Sequence, residues 1–260
     1  MNPTRAAKSS ELKITPPYGY DAIVPLERRH RVLVPHGATP QFCRTLNAIA
    51  LTSSEFVAAA RDYPVVFVTP DNAQTFAPVA VLGLAARQNL FLADDGDWDP
   101  AAYLPAFVRR YPFCISKLYV DGVARSDKVV CVARAYVDPQ GIALFDEAGT
   151  PSEYWQGMQR LLAEYEEDLD RTAGLCAALA RLDLFAPFTF QVVQEDRTTL
   201  KVDGMYRIDA GKFESLRPAS HKALVAKGFA GRIYAHFHSL ENFARLYQRA
   251  VRQASRAQQR

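Results

Sequence analysis

The chain has 260 residues, of which 49% are apolar and 23% charged, and a net charge of +3. A chain of this size and composition buries a core without disulfide or metal staples, and so small a net charge gives no ground for nucleic-acid binding. The longest apolar run, near Pro78 to Ala86, falls far short of the ~20 residues of a membrane helix, so no membrane span is expected.

Residues 1–18 are polar and end in Pro16-Pro17, which predicts a mobile arm. No apolar segment follows the basic start, so no targeting signal is read there and a soluble, cytoplasmic protein is expected. Ile23 to Val34 reads as short extended segments broken by Pro25 and Pro35. A helix is expected over 53–62. Thr52 and Glu55 form a capping box, Phe56, Ala59 and Ala60 make one apolar face, and Tyr63 before Pro64 stops it. Val65 to Val68 reads as a strand, Pro70-Asp71-Asn72 as a turn, Phe76 to Leu84 as a second strand and Asn89 to Leu92 as a third.

Asp94, Asp95, Asp97 and Asp99 with Gly96 look superficially like a calcium loop, but Leu104 and Pro105 stand where its last ligands belong. Asp99 and Pro100 instead read as an N-cap and first helical position, with a helix to about Arg110 that Pro105 limits or kinks. Phe113 to Val120 and Lys128 to Val137 read as a hairpin around Asp121-Gly122, and Ile142 to Phe145 as a short strand.

One phrase occurs twice. Arg61-Asp62-Tyr63-Pro64-Val65-Val66-Phe67 is echoed by Arg109-Arg110-Tyr111-Pro112-Phe113-Cys114-Ile115. Each copy follows a helix and opens an apolar run, which predicts two similar helix-strand-strand units. Arg61, Arg109 and Arg110, with Tyr63 and Tyr111, are candidate ligands for an anion, since guanidinium forks match carboxylate and phosphate. The plainer account is that the arginines end helices, where positive charge meets the dipole, and the tyrosines pack at the corners.

Thr150, Pro151 and Glu153 mark a strong helix start. Trp155, Met158, Leu162, Tyr165, Leu169, Cys176 and Leu179 then keep a three-and-four spacing, giving a long amphipathic helix, loosened near Gly174, that ends before Pro187. Glu164 to Asp170 holds five acids, and Arg245 to Arg260 holds five arginines without an acid. These read as a solvated face and a frayed tail, or as surfaces that meet each other or partners. Phe188 to Val193 and Leu200 to Ile208 read as strands, with Asp203-Gly204 as a break in the second. Asp209 to Leu216 and Pro218 to Lys227 read as short helices, and Arg232 to Phe237 as a strand. Ser239 is expected to cap a last helix with Phe243, Leu246, Tyr247, Ala250 and Val251 on one face.

His236 and His238 are the one close histidine pair. In a strand they share a face and are a candidate metal site, although no carboxylate stands at a telling offset for a third ligand. Cys43, Cys114, Cys131 and Cys176 are widely spaced and are expected as buried free thiols. No phosphate loop, nucleophile elbow or zinc-protease motif occurs, and no catalytic residue or cofactor is implied.

The expected fold is α+β. A mixed or antiparallel sheet from the two helix-strand-strand units packs with the long helix and the C-terminal helix. The expected organisation is the arm at 1–18, a single domain over 19–250 with halves at 19–148 and 149–250, and a basic tail at 251–260.

These landmarks together resemble the bacterial SapC family of surface-layer-associated proteins. The matching phrases are Pro25-Leu26, Ala60 to Phe67, Val81-Leu82-Gly83-Leu84, Asn89-Leu90-Phe91, Trp98, Tyr103 to Phe113, Leu144-Phe145-Asp146, Gly204 to Asp209 and Ile233-Tyr234-Ala235-His236. The resemblance spans about residues 18–247. It implies an accessory or interaction protein, linked to assembly or export of surface components, with a protein or peptide partner bound by the first-half sheet or the long helix. The other reading is an enzyme or small-ligand binder with a site between the halves, using His236 or the arginines. The oligomeric state is not legible in the sequence.

Overall fold

The computed structural model describes residues 12–35, 39–69, 75–120, 123–194 and 197–258. The turns expected at Pro70-Asp71-Asn72 and Asp121-Gly122 lie outside the described residues, as does most of the expected arm. The fold is α+β with antiparallel sheets. In chain order the elements are β1 (Leu12–Ile14), β2 (Ile23–Pro25), β3 (Arg31–Val32), β4 (Ala48–Ala50), α1 (Phe56–Ala59), β5 (Val65–Val68), β6 (Ala77–Val81), α2 (Ala106–Arg109), β7 (Phe113–Val120) and β8 (Val123–Ala133). They continue with β9 (Ile142–Ala143), α3 (Glu153–Arg181), β10 (Phe185–Val193), β11 (Thr199–Ile208), α4 (Ala210–Glu214), α5 (Pro218–Ala226), α6 (Ala230–Ser239) and α7 (Asn242–Gln258). Both Tyr-Pro phrases stand where expected, each between a short helix and an antiparallel strand pair: α1 before β5–β6, and α2 before β7–β8.

The chain divides into two compact units, one of Met1–His36 with Arg110–Ala163 and the other of Gly37–Arg109 with Glu164–Arg260. The first unit holds a four-stranded sheet in the order β1-β7-β8-β2 and the small ladder β3-β9. β1 lies in the stretch read as an arm and pairs with β7. β2 forms the other edge, the place where Pro25 lacks no ladder bond. Val32, Phe113, Val132, Leu144, Trp155, Met158 and Leu162 form its core, so the apolar stripe predicted for α3 is buried here over its first turns. The helix starts two residues later than its proline and threonine suggest. Ser152 is the cap, accepting the Trp155 N–H at 3.3 Å, while the Thr150 N–H donates to Asp146 at 2.7 Å.

The second unit holds the sheet β10-β11-β5-β6-β4. β10 and β11 form a long hairpin that joins β5 through a single pair, Tyr206 to Phe67. Gly204, with φ at +77°, sits beside a register irregularity and does not break the strand. The helix expected over 53–62 is a 3-10 turn at Ser53–Glu55 followed by only the four residues of α1, and four further expectations fail in this unit for local reasons. The helix expected to Arg110 is only the four residues of α2, because Asp99 closes a turn on the Ala101 N–H (3.0 Å) and Pro105 comes before any longer helix can propagate. Asn89 to Leu92 is a loop with one bridge, Leu92 to Trp98. Arg232 to Phe237 lies within α6 and is not a strand. Ser239 ends α6 instead of capping α7.

Candidate functional site

The first Tyr-Pro corner is a packed joint. Tyr63 is fully buried and lies edge-on to Phe91, with ring centroids 4.5 Å apart. Its hydroxyl accepts the Trp98 indole N–H at 3.0 Å and donates to the Tyr103 carbonyl. Burial pushes its pKa up. Asn242, at the start of α7, closes the end of α1 by donating to the carbonyls of Ala60 (2.7 Å) and Tyr63 (3.1 Å). Arg61 is exposed and reaches only the Ala58 carbonyl of its own turn, at 3.4 Å. Arg109 is also exposed, bonding the Leu104 carbonyl at 3.1 Å and the Tyr103 hydroxyl at 3.2 Å. In the other unit, Arg110 is buried against the Tyr20 ring, and Tyr111 packs 5.0 Å from both Tyr20 and Tyr136. The five candidates therefore divide between the two units, with Arg61, Tyr63 and Arg109 in one and Arg110 and Tyr111 in the other.

The histidine pair is not brought together. Two residues apart on a helix point roughly 200° apart around the axis, so His236 is fully buried and His238 exposed. His236 accepts the Ile208 N–H at Nε2 (3.0 Å) and therefore carries its proton on Nδ1, donated to the Val65 carbonyl at 2.8 Å. One helical turn on, Ser239 Oγ accepts the Val65 N–H at 3.0 Å. Both backbone groups of Val65 on that edge of β5 are thus satisfied by α6 side chains where β11 has already diverged. Among the described residues, no three His, Cys, Asp or Glu side chains gather in a metal-binding group.

A second polar cluster holds the start of the first short helix. Asp168 of α3 accepts from Ser53 Oγ (3.1 Å) and the Ser54 N–H (2.8 Å), and Thr172 Oγ1 accepts the Ser53 N–H at 2.7 Å. Glu55 accepts the Thr52 N–H at 2.9 Å, the returning arm of the expected capping box, and also the Tyr103 hydroxyl (3.1 Å) and the Ala106 N–H (2.7 Å). These buried carboxylates are bound on several sides, as stability requires.

An accessible surface with a defined shape lies along α7. Phe243 stacks on Phe190 with centroids 4.8 Å apart, which docks the helix on the β10–β11 hairpin. From Val251 to Arg256 every residue is exposed. Tyr247, Ala250, Val251 and Ala254 border a trough of about 680 Å³ whose facing wall includes Leu84 and Leu200. Its described lining is mostly apolar and small, with Gln88, Gln194, Gln248, Arg252 and Ser255 as polar members, which suits it to apolar groups. The apolar face of α7 is legible in the sequence. The trough is not, because its other wall comes from residues 47 to 163 positions away.

A family model described as SapC matches residues 28–246 of the chain. No curated protein and no solved structure matches it.

Proposed function

The chain belongs to the SapC family, and from that premise we propose that it is an accessory protein acting by binding another protein, with no reaction of its own. The partner is a component of the bacterial surface layer, whose assembly or export this protein serves. The observation that carries the reading is the open, largely apolar trough beside α7, about 680 Å³ in volume. Its size and lining suit a few apolar side chains from a protein segment. Arg252 and Gln248 on its rim favour a segment whose apolar residues are interrupted by acidic or amide ones. The histidine and arginine candidates support a reactive site less well. Both ring nitrogens of His236 are engaged by backbone groups, and Arg61 and Arg109 bond carbonyls of their own turns.

The test is equilibrium binding of the purified surface-layer subunit of the same host to this protein and to its Val251→Asp variant. Val251 is 45% exposed, so the change leaves the fold intact. The reading predicts saturable binding that falls at least tenfold in the variant. Equal binding by both proteins, or none by the parent, contradicts it.

A further inference from the structure

The flank of α7 next to the apolar trough is basic, and Arg252 borders both cavities. Arg245, Arg249, Arg252 and Arg256 recur at intervals of four, three and four, which places them on one stripe of the helix. Arg249, Arg252 and Arg256 line a cavity of about 750 Å³ together with Leu90, Leu92, Asp94 and Asp99. A neighbouring cavity of about 440 Å³ shares Leu92, Ala93, Asp94 and Gln253 with it and adds Arg44 and Arg87. The joined trough carries five arginines against two aspartates.

Its walls are held in place. Arg249 lies 4.4 Å above the Phe91 ring and is fixed by Asp99 at 2.9 Å. That leaves the remaining positive charge on Arg44, Arg87, Arg252 and Arg256, for which no ion pair is found among the described residues. Arg44 is packed on the 94–99 loop at Gly96, whose φ is +89° and where a Cβ would overlap the guanidinium. Arg87 is one of the few non-glycine residues with positive φ, at +59°. Gln88 stabilises that turn by accepting the N–H groups of Leu84 (3.0 Å) and Ala85 (3.2 Å). Buried Asn89 ties the two segments together, donating to the Cys43 carbonyl (2.9 Å) and accepting the Phe91 N–H (2.9 Å). A left-handed arginine on a braced loop costs backbone energy that its neighbours must supply.

We propose that this trough is a binding site for a phosphate-bearing anion, of the size of a diphosphate group. Several guanidinium forks on different walls match the spread oxygens of a diphosphate better than one planar carboxylate. The excess positive charge favours a ligand with more than one negative charge, and the volumes lie in the usual range of small-molecule sites. The same chemistry is offered by a soluble diphosphate and by two neighbouring phosphodiester headgroups of an anionic membrane.

The test uses the full chain at low and at physiological salt. Calorimetric titration with inorganic diphosphate probes the soluble source, and co-sedimentation with vesicles of phosphatidylglycerol and phosphatidylcholine probes the lipid source. The proposal predicts saturable binding of about one diphosphate per chain, weakened by salt. It predicts at least a tenfold loss in the R252A/R256A double variant and little change in K222A/K227A, which removes two exposed lysines elsewhere. Vesicle binding without diphosphate binding, lost in the same double variant, assigns the headgroup as the source and still supports the site. Absence of both, equal effects of the two double variants, or tighter retention of an oligonucleotide than of diphosphate overturns it. Failure here leaves the apolar trough and its Val251→Asp test untouched.

Discussion

His236 accepts the Ile208 N–H at 3.0 Å, and its other ring nitrogen donates to the Val65 carbonyl. One neutral imidazole therefore bridges β11 and β5 just where their direct pairing ends at Tyr206 and Phe67. Burial lowers the His236 pKa from 6.5 to about 4, with the bond to Val65 opposing the shift and Arg207 adding to it. The folded state thus favours the neutral ring. Its contribution is complete above about pH 6.5 and is lost as pH falls toward 4, because the unfolded chain takes up the proton first. The full loss is roughly 3 kcal/mol. Urea unfolding at pH 7 and pH 5 should show the drop, and His236→Gln should lower stability at pH 7 while flattening the dependence in that window.

Asp168 acts lower on the pH scale. Burial alone would raise its pKa, but hydrogen bonds from Ser54, Thr52 and Ser53 outweigh that and hold it below the ordinary carboxylate range. Its stabilisation is present above the unfolded value near ~3.9 and disappears as pH falls through the lower folded value. Asp168→Asn should cost about 1–3 kcal/mol at pH 7, since the Ser53 and Ser54 donors lose a charged acceptor. The variant should also lack the acid-side decline below pH 4, which thermal melts across pH 2 to 5 would reveal.

The two members of the first Tyr-Pro corner should differ sharply. Tyr63→Phe leaves the buried Trp98 indole N–H and the Tyr103 carbonyl without their partner and should cost about 1–3 kcal/mol. Arg61→Ala removes an exposed side chain bonded at 3.4 Å and should stay within about 0.5 kcal/mol. A large loss from Arg61→Ala in chemical denaturation would show that the arginine does more than end its helix.

All four cysteines are free and buried. Burial raises Cys43 and Cys176 to about 12 and Cys131 to about 11, so almost no thiolate is present near neutrality. An aromatic disulfide reagent at pH 8 should react slowly with the native protein and reach four thiols per chain only after unfolding. Fast native reaction of one thiol would mark a reactive site.

Much of the architecture follows from short-range signals. The stripe from Trp155 to Leu179 and the start signal at Thr150, Pro151 and Glu153 mark α3 to within two residues, and the runs from Phe188 and Leu200 mark the β10–β11 hairpin. α6 was misread because Arg232 to Phe237 alternates in polarity. Its buried residues, Ile233, His236 and Ser239, follow a helical step of three instead, and the need for two of them becomes visible only once the unsatisfied edge of Val65 is known. α7 was half read. Its apolar face is legible, while a frayed basic tail at 251–260 is not what forms, because the arginines repeat with helical spacing and α7 continues to Gln258. Neither trough was legible, since Leu84, Leu200 and Tyr247, or Arg44, Arg87 and Arg252, meet only through the fold.

The central claim is that a protein partner seats in the apolar trough beside α7. Its most direct test is photocrosslinking, with Val251→p-benzoylphenylalanine in the trough and Val225→p-benzoylphenylalanine as a control on α5, where Val225 is 63% exposed. Each protein is irradiated with the purified surface-layer subunit of the same host. The account predicts a crosslink from position 251 that maps to one apolar segment of the subunit, and none from position 225. A crosslink of equal yield from both positions, or none from position 251, contradicts it.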